Sequence, residues 1–392
     1  MKIAQVNVYF YPLMVGGAEW YVYNLSKELV IRGHEVHVYT VDTYEGKKVL
    51  PREEVVDGII IHRMPLWLDV SYRIKVWREL RKRLTNGKFD VIHTYDYGQL
   101  HSYVSVRAGK KTSSPVALTV FDVHSMIPRS IGKRFLISFF DKYVARFTLK
   151  NATKILLRAP NLVDSMTRIG APPEKIVITP SGVLDNALQP ANKSAFTQKY
   201  RIVNKPLVLY LGRLNPMKGP QYLVMASPAI LQKYPETAFV FIGPDQNGYR
   251  DKLIQLGKDL GVLDHMVFTG PIYDFETKMQ AFAASDVFVL PSGYEGTSQS
   301  IFGAMSQARP IVATNRGGIP FQIGHQQEGL LVEYADDKAL TSAILRLLDD
   351  KKFAIDLGLK AKEKVKNFTY SILAKQIEDI YLDMVKEKGT QK

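Results

Sequence analysis

Cysteine is absent from all 392 residues, which excludes disulfides, thiolate metal sites and a thiol nucleophile. That absence suits a reducing interior. No apolar run reaches the roughly 18 residues that a membrane-spanning helix requires. The segment from Lys2 to Val15 is broken by Gln5 and Asn7 and offers no small-residue cleavage site, so no secretory leader is expected. Neither a complete G-x-G-x-x-G fingerprint nor a Walker P-loop occurs, which weakens NAD-dependent and ATP-hydrolysing readings. Acidic residues are in deficit, with 38 Asp+Glu against 52 Lys+Arg and a net charge of +14.

The excess of positive charge is uneven. Residues 1–190 hold 27 basic and 17 acidic side chains, and the remainder holds 25 and 21. A basic half suits an anionic partner: a phosphorylated substrate, an anionic membrane face or nucleic acid. Nucleic acid loses ground because no recognition-helix motif, RNP signature or zinc module is present. Two basic amphipathic stretches stand out. Val70 to Leu84 predicts a helix with Val70, Ile74, Trp77, Leu80 and Leu84 on its core face and Arg73, Lys75, Arg78, Lys82 and Arg83 in water. Arg129 to Lys150 interleaves Phe135, Phe139, Phe140 and Phe147 with Lys133, Arg134, Lys142 and Arg146. That density is equally a core-facing helix and a membrane-surface helix.

The length predicts two domains. Apolar runs of strand length alternate with helical periodicity from Ile3 to Ile178, pause over a polar interval at Leu184 to Lys205, and resume from Leu207 to Val332. Two doubly wound α/β halves with parallel sheets are expected, one over 1–190 and one over 200–370. The amphipathic helix predicted at 371–386 is left free to join either half.

Ligand chemistry gathers in the second half. Val287 to Leu290 reads as a buried strand stopped by Pro291; a loop follows with hydroxyls and one carboxylate, Glu295, and then a helix from Ile301. Unpaired N–H groups at a helix start suit phosphate, and a fixed carboxylate suits sugar hydroxyls. On these residues alone the stretch is equally an ordinary βα connection. Gly212-Arg213 and Lys218-Gly219 bracket a second loop past a strand end, and two converging cations there would neutralise a diphosphate.

Six motifs in order then carry a resemblance: GGAE (16–19), RGHEV (32–36), PSGV (180–183), LGRLNPMKG (211–219), PSGYEGTSQSIFGAM (291–305) and GGIP (317–320). Together they resemble the retaining, nucleotide-sugar-dependent glycosyltransferases of family four, over nearly the whole chain. The resemblance implies a GT-B fold, two Rossmann-like domains facing across a cleft, with the last helix crossing back onto the first. It implies that Arg213 and Lys218 clamp the donor diphosphate in place of a metal and that Glu295 holds the donor sugar. Gly212 and the main chain of Thr297, Ser298 and Gln299 would line the donor, and Gly16 and Gly17 would close over its phosphate. No metal and no cofactor are implied. The partners implied are a UDP- or GDP-linked sugar and a glycan or lipid-linked acceptor, with the enzyme cytoplasmic and peripheral at the inner membrane face.

Three positions depart from the family pattern. Gly303 stands where a second Glu grips the donor ribose, Phe121 where an acceptor-side His belongs, and Phe321 where GGIP continues with Glu. His93 and His124 are candidates to replace that His, and Asp96 and Asp122 are further acceptor-side candidates. The readings left open are an active transferase, a nucleotide-sugar-binding relative with weak or no turnover acting as a partner or regulator, and a nucleotide-sugar epimerase.

Overall fold

A computed structural model describes residues 1–13, 16–44, 47–48, 50–69, 74–121 and 141–390. They fall into two compact units, Met1–Ser181 with Tyr370–Lys392, and Gly182–Thr369.

The first unit contains β1 (Lys2–Val6), β2 (Glu35–Val41), β3 (Thr43–Tyr44), β4 (Lys47–Lys48), β5 (Glu53–Val56), β6 (Ile59–Met64), β7 (Leu66–Asp69), β8 (Lys75–Trp77), β9 (Val91–Tyr95), β10 (Val116–Val120), β11 (Lys154–Leu157) and β12 (Ile176–Ile178). Eight of them form a sheet in the order β12-β11-β10-β9-β1-β2-β6-β5. Only β5 runs antiparallel, at the edge, and its Glu-Glu-Val-Val sequence alternates between exposed and half-buried. The inner strands β1, β9 and β10 are buried along nearly their whole length, as expected of a parallel sheet covered on both faces, and this burial takes in Gln5, His93, Thr94 and Thr119. Strand order reverses between β1 and β9, so the crevice beyond their carboxyl ends is where such a sheet binds ligands.

The helix Tyr370–Thr390 completes this unit. Arg32 Nη2 lies 2.6 Å from Glu378 Oε2, and His34 Nε2 lies 2.9 Å from Oε1 of the same carboxylate. The Arg32 guanidinium, helped by His34, holds that carboxyl below its ordinary range against the opposing pull of burial. Ala374, Ile377, Tyr381 and Met384 form the buried side of the helix.

The second unit holds β13 (Leu207–Leu211), β14 (Ala238–Ile242), β15 (Met266–Gly270), β16 (Val287–Leu290), β17 (Ile311–Thr314) and β18 (Leu330–Val332), all parallel, in the order β15-β14-β13-β16-β17-β18. Here the order reverses between β13 and β16. Each unit is therefore Rossmann-like. The polar interval 184–205 is more ordered than its composition predicts. It carries the helix Lys193–Lys199, capped by the Asn192 side chain on Ser194 N at 3.0 Å, with Phe196 in the core.

The basic helix expected from Val70 to Leu84 is not formed. Residues 70–73 lie outside the described residues; Lys75–Trp77 is a strand paired antiparallel with Leu66–Asp69, and the helix spans only Leu80–Asn86. Val76 and Trp77 are good strand formers, and Trp77 is buried with its ring stacked on His101 at 5.1 Å. For the stretch from Arg129 to Lys150, residues 129–140 lie outside the described residues, and helix covers Asp141–Asn151.

Candidate active site

The site in the second unit is assembled at its switch point, from the loops after β13 and β16. Gly212 directly follows β13, with its N–H on Ile242 O at 2.9 Å, and Arg213 comes next, exposed. The next turn is set by Asn215, whose side chain accepts the Lys218 N–H at 2.9 Å, with Pro216 pre-shaping the chain between them. Gly219 closes the turn at φ +72, and a Cβ there would fall 1.9 Å from Pro291 O. Glycine is required because the two loops meet at that point.

The β16 loop is bolted to the β13 loop and to the segment after β17. Gly293 N–H donates to Met217 O at 2.7 Å. Gly318 N–H donates to Glu295 O at 2.7 Å, and Gly317, at φ +58, would drive a Cβ to 2.1 Å from that same carbonyl. These anchors bring Lys218 Nζ to 2.7 Å from Glu295 Oε1, in a half-buried pair with side-chain exposures of 22% and 11%. Behind them lies the fully buried Tyr210, whose hydroxyl donates to Arg213 O at 2.8 Å. Burial first, and then the Glu295 carboxylate and Tyr249, push the Tyr210 phenol well above its ordinary pKa. The arrangement sets two cations and one carboxylate at the ligand-binding edge of a parallel sheet, a set suited to a phosphorylated, hydroxyl-rich molecule.

The hydroxyl loop is used in part for its own support. Ser298 is the N-cap of the helix Gln299–Ser306, and its N–H is taken by Gln322 Oε1 at 2.7 Å, so that N–H does not face a ligand as the resemblance implies. Thr297 Oγ1 is buried without a hydrogen-bond partner among the described residues. Gly303 lies inside the same helix against Phe282, where an added Cβ would stand 2.3 Å from the ring. Phe282 thus fills the space that a side chain at 303 would need. Phe321 is 45% exposed.

In the first unit, Gly16 and Gly17 open the helix that follows β1, and Asp96 follows β9, so both flank the other switch point. Gly16 has extended backbone, and a Cβ on Gly17 would meet nothing within 4 Å. The fold itself does not demand glycine at either position. Asp96 adopts φ +62 and is 5% exposed; its carboxylate accepts the Phe121 N–H at 3.3 Å and Gln99 Nε2 at 3.2 Å. Phe121 stacks on Tyr95 at 5.7 Å and stands over the Arg158 guanidinium at 5.3 Å.

His93 is not an acceptor-side group. It is wholly buried, with Nδ1 2.5 Å from the Tyr381 hydroxyl and Nε2 2.7 Å from Thr119 Oγ1. Burial lowers its pKa to about 3, so it stays a neutral core histidine. Asp122 and His124 lie outside the described residues. Reading the motifs missed Asn215, Tyr210 and Gln322. The Asn-Pro pair is a turn signal that identifies the first, whereas nothing local marks Gln322.

Comparison with known proteins follows the same division. Residues 15–185 match the model of Glycosyltransferase Family 4, and residues 192–364 match that of Glycosyl transferases group 1. The chain is 24% identical over 420 residues to the D-inositol 3-phosphate glycosyltransferase of Nocardia farcinica, covering 97% of this chain and 89% of that protein. It is 28% identical over 329 residues to an Escherichia coli UDP-Gal:alpha-D-GlcNAc-diphosphoundecaprenol alpha-1,3-galactosyltransferase, covering 82% and 81%. Among solved structures, Anabaena Alr3699/HepE in complex with UDP superimposes with a TM-score of 0.80 at 20% identity, over 98% of this chain and 100% of that one.

Proposed function

The chain belongs to the family-four, group 1 glycosyltransferases of the GT-B fold, and on that premise we propose that it transfers a hexose with retention from a UDP- or GDP-linked donor to a glycan or lipid-linked hydroxyl. The observation that carries this reading is the gathering of Arg213, Lys218 and Glu295 around the β13–β16 switch point. Arg213 and Lys218 take the diphosphate, and their charge stabilises the leaving group without calling on a metal. Glu295 holds the sugar hydroxyls. The C1–phosphate oxygen bond breaks, the acceptor oxygen bonds to C1 on the same face, and the acceptor proton passes to the leaving phosphate oxygen. The protein supplies position and charge rather than a nucleophile. The likeness to an inositol phosphate and a diphosphoundecaprenol glycosyltransferase supports a phosphorylated or lipid-linked acceptor.

A second reading, binding without turnover, draws on Gly303, where Phe282 leaves no room for a carboxylate. One experiment separates the two. The protein is incubated with UDP-glucose, GDP-mannose and ADP-glucose, following melting temperature and released diphosphate. A rise in melting temperature with transfer or slow donor hydrolysis supports the transferase, and a rise alone supports the second reading. No response to any of the three defeats both.

A peripheral station on an anionic membrane is part of the proposal, supported by the basic bias of residues 1–190 and by Trp67 and Leu68, which are 65% and 45% exposed on β7. No helix among the described residues is long and apolar enough to cross a membrane. Flotation with phosphatidylglycerol vesicles at low salt tests it, and failure to float removes it.

A further inference from the structure

Gln322 lies on the short helix Ile319–Gln322, is 2% exposed, and belongs to none of the motifs read from the sequence. Its side-chain amide pairs reciprocally with the main chain of one residue, Ser298, and so with the two consecutive peptide groups that flank its Cα. Oε1 accepts the Ser298 N–H at 2.7 Å, and Nε2 donates to Ser298 O at 2.9 Å. That carbonyl also accepts the Phe302 N–H at 3.3 Å, the first bond of the helix Gln299–Ser306. The amide therefore acts as an added strand segment would, fixing both the main-chain orientation at Ser298 and the point where the helix begins.

The same short helix is tied to the loop a second time, where Gly318 N–H donates to Glu295 O at 2.7 Å. Two anchors four residues apart thus hold the two ends of Glu295–Ser298. Between them sit the carboxylate that faces Lys218 and the buried Thr297 hydroxyl, which has no hydrogen-bond partner among the described residues. Filling a buried space needs only volume, which a methionine or leucine supplies. Accepting from the N–H and donating to the C=O of one residue needs a group with both functions, as a primary amide has. A buried amide paired in this way is under geometric demand that packing alone does not impose.

We infer that Gln322 is a positioning residue for the sugar-binding loop: it aligns Glu295 and Thr297 by clamping the main chain on both sides of the Ser298 Cα, and it acts on the sugar part of the donor rather than on its diphosphate. The inference rests on the glycosyltransferase reading. Arg213 and Lys218, which take the diphosphate in that reading, stand on the β13 loop, whereas the side-chain hydrogen bonds of Gln322 among the described residues go to Ser298 on the β16 loop.

The test compares two affinities by calorimetry on the full-length protein. One is for whichever of UDP-glucose, GDP-mannose and ADP-glucose most raises the melting temperature. The other is for the matching nucleoside diphosphate. Gln322→Met, close in volume and without the amide, is expected to weaken nucleotide-sugar binding about tenfold while diphosphate affinity holds or tightens, because a displaced Glu295 competes less for Lys218. Gln322→Glu keeps both bonds as the neutral acid and loses its donor when ionised, so its sugar-specific deficit is expected to grow from pH 6 to pH 8. Equal weakening of both ligands, or of neither, in Gln322→Met overturns the inference, whatever happens to the melting temperature. If that variant does not fold, a Gln322→Glu deficit that is absent or independent of pH overturns it. A wild-type protein that binds none of the three sugars fails the glycosyltransferase reading itself and this inference with it.

Discussion

Lys218 Nζ and Glu295 Oε1 are 2.7 Å apart, although 77 residues separate them in the chain. The residues proposed to take the diphosphate and the sugar are thus each other's partners. On the assignment proposed above, a donor phosphate competes with Glu295 for Lys218, and taking Lys218 frees the carboxylate to accept hydroxyls. Binding of the two halves of the donor is coupled through that exchange. Glu295→Gln should remove the competition, tightening nucleoside diphosphate binding about three- to tenfold. The same variant should lose transfer rate and discrimination between sugars. Titration calorimetry with UDP and GDP, alongside initial rates, checks both; diphosphate binding that weakens denies the coupling.

Arg213→Ala and Lys218→Ala are each expected to lower turnover about 10²–10³-fold, the usual loss when one fixed charge is removed from a developing anion. Their circular dichroism should match wild type, since Arg213 is exposed and Lys218 is held through its main chain by Asn215. Near-normal rates in both variants would discard the diphosphate assignment.

Gly303→Glu, the change that would restore the family pattern, is expected to fail here. Its Cβ meets the Phe282 ring at 2.3 Å, and Phe282 is itself 2% exposed. Overpacking of this kind costs about 1–3 kcal/mol, and a buried carboxylate adds to it. Pairing it with Phe282→Ala should recover part of the lost melting temperature. A single variant as stable as wild type would show that the helix has room that the geometry denies.

Acid should unfold the first unit through two histidines. Burial lowers His93 to about 3 and His101 to about 4, from an ordinary value near 6.5. Between those limits the unfolded chain binds more protons than the native one, so stability falls as pH drops below about 6.5. The slope is at most about 1.4 kcal/mol per pH unit for each group. Denaturant melts at pH 7, 6, 5 and 4 should show the decline, and His93→Asn combined with His101→Asn should flatten it. An unchanged slope in the double variant would place the acid sensitivity elsewhere.

Strands with continuous apolar runs bounded by proline or glycine were readable to the residue, as at Val287–Leu290 and Ile311–Thr314, because burial on both faces leaves no polar interruption. The stretch from Val70 to Leu84 misleads because its helical spacing is accidental. Trp77 is buried through a hairpin partner and a histidine that lie elsewhere in the chain. His93 misleads for a related reason, since only the fold brings Tyr381 to it from 288 residues away. The loops that carry Arg213, Lys218 and Glu295 were legible from the strand ends before them. Their mutual pairing and the Gln322 clamp were not, because both depend on which loops a parallel sheet sets side by side.

The return of Tyr370–Thr390 to the first unit bears on how the protein is made. A ribosome delivers Met1–Ser181 first, yet the helix that buries Ile377 and Tyr381 against it emerges only after Gly182–Thr369. At about 5–20 residues per second, that interval lasts roughly 10–40 s. Throughout it the half-built unit carries an uncovered apolar face while the later segment is already free to finish. The piece synthesised first is thus the last to be completed, and a nascent-chain chaperone would find its work on that face.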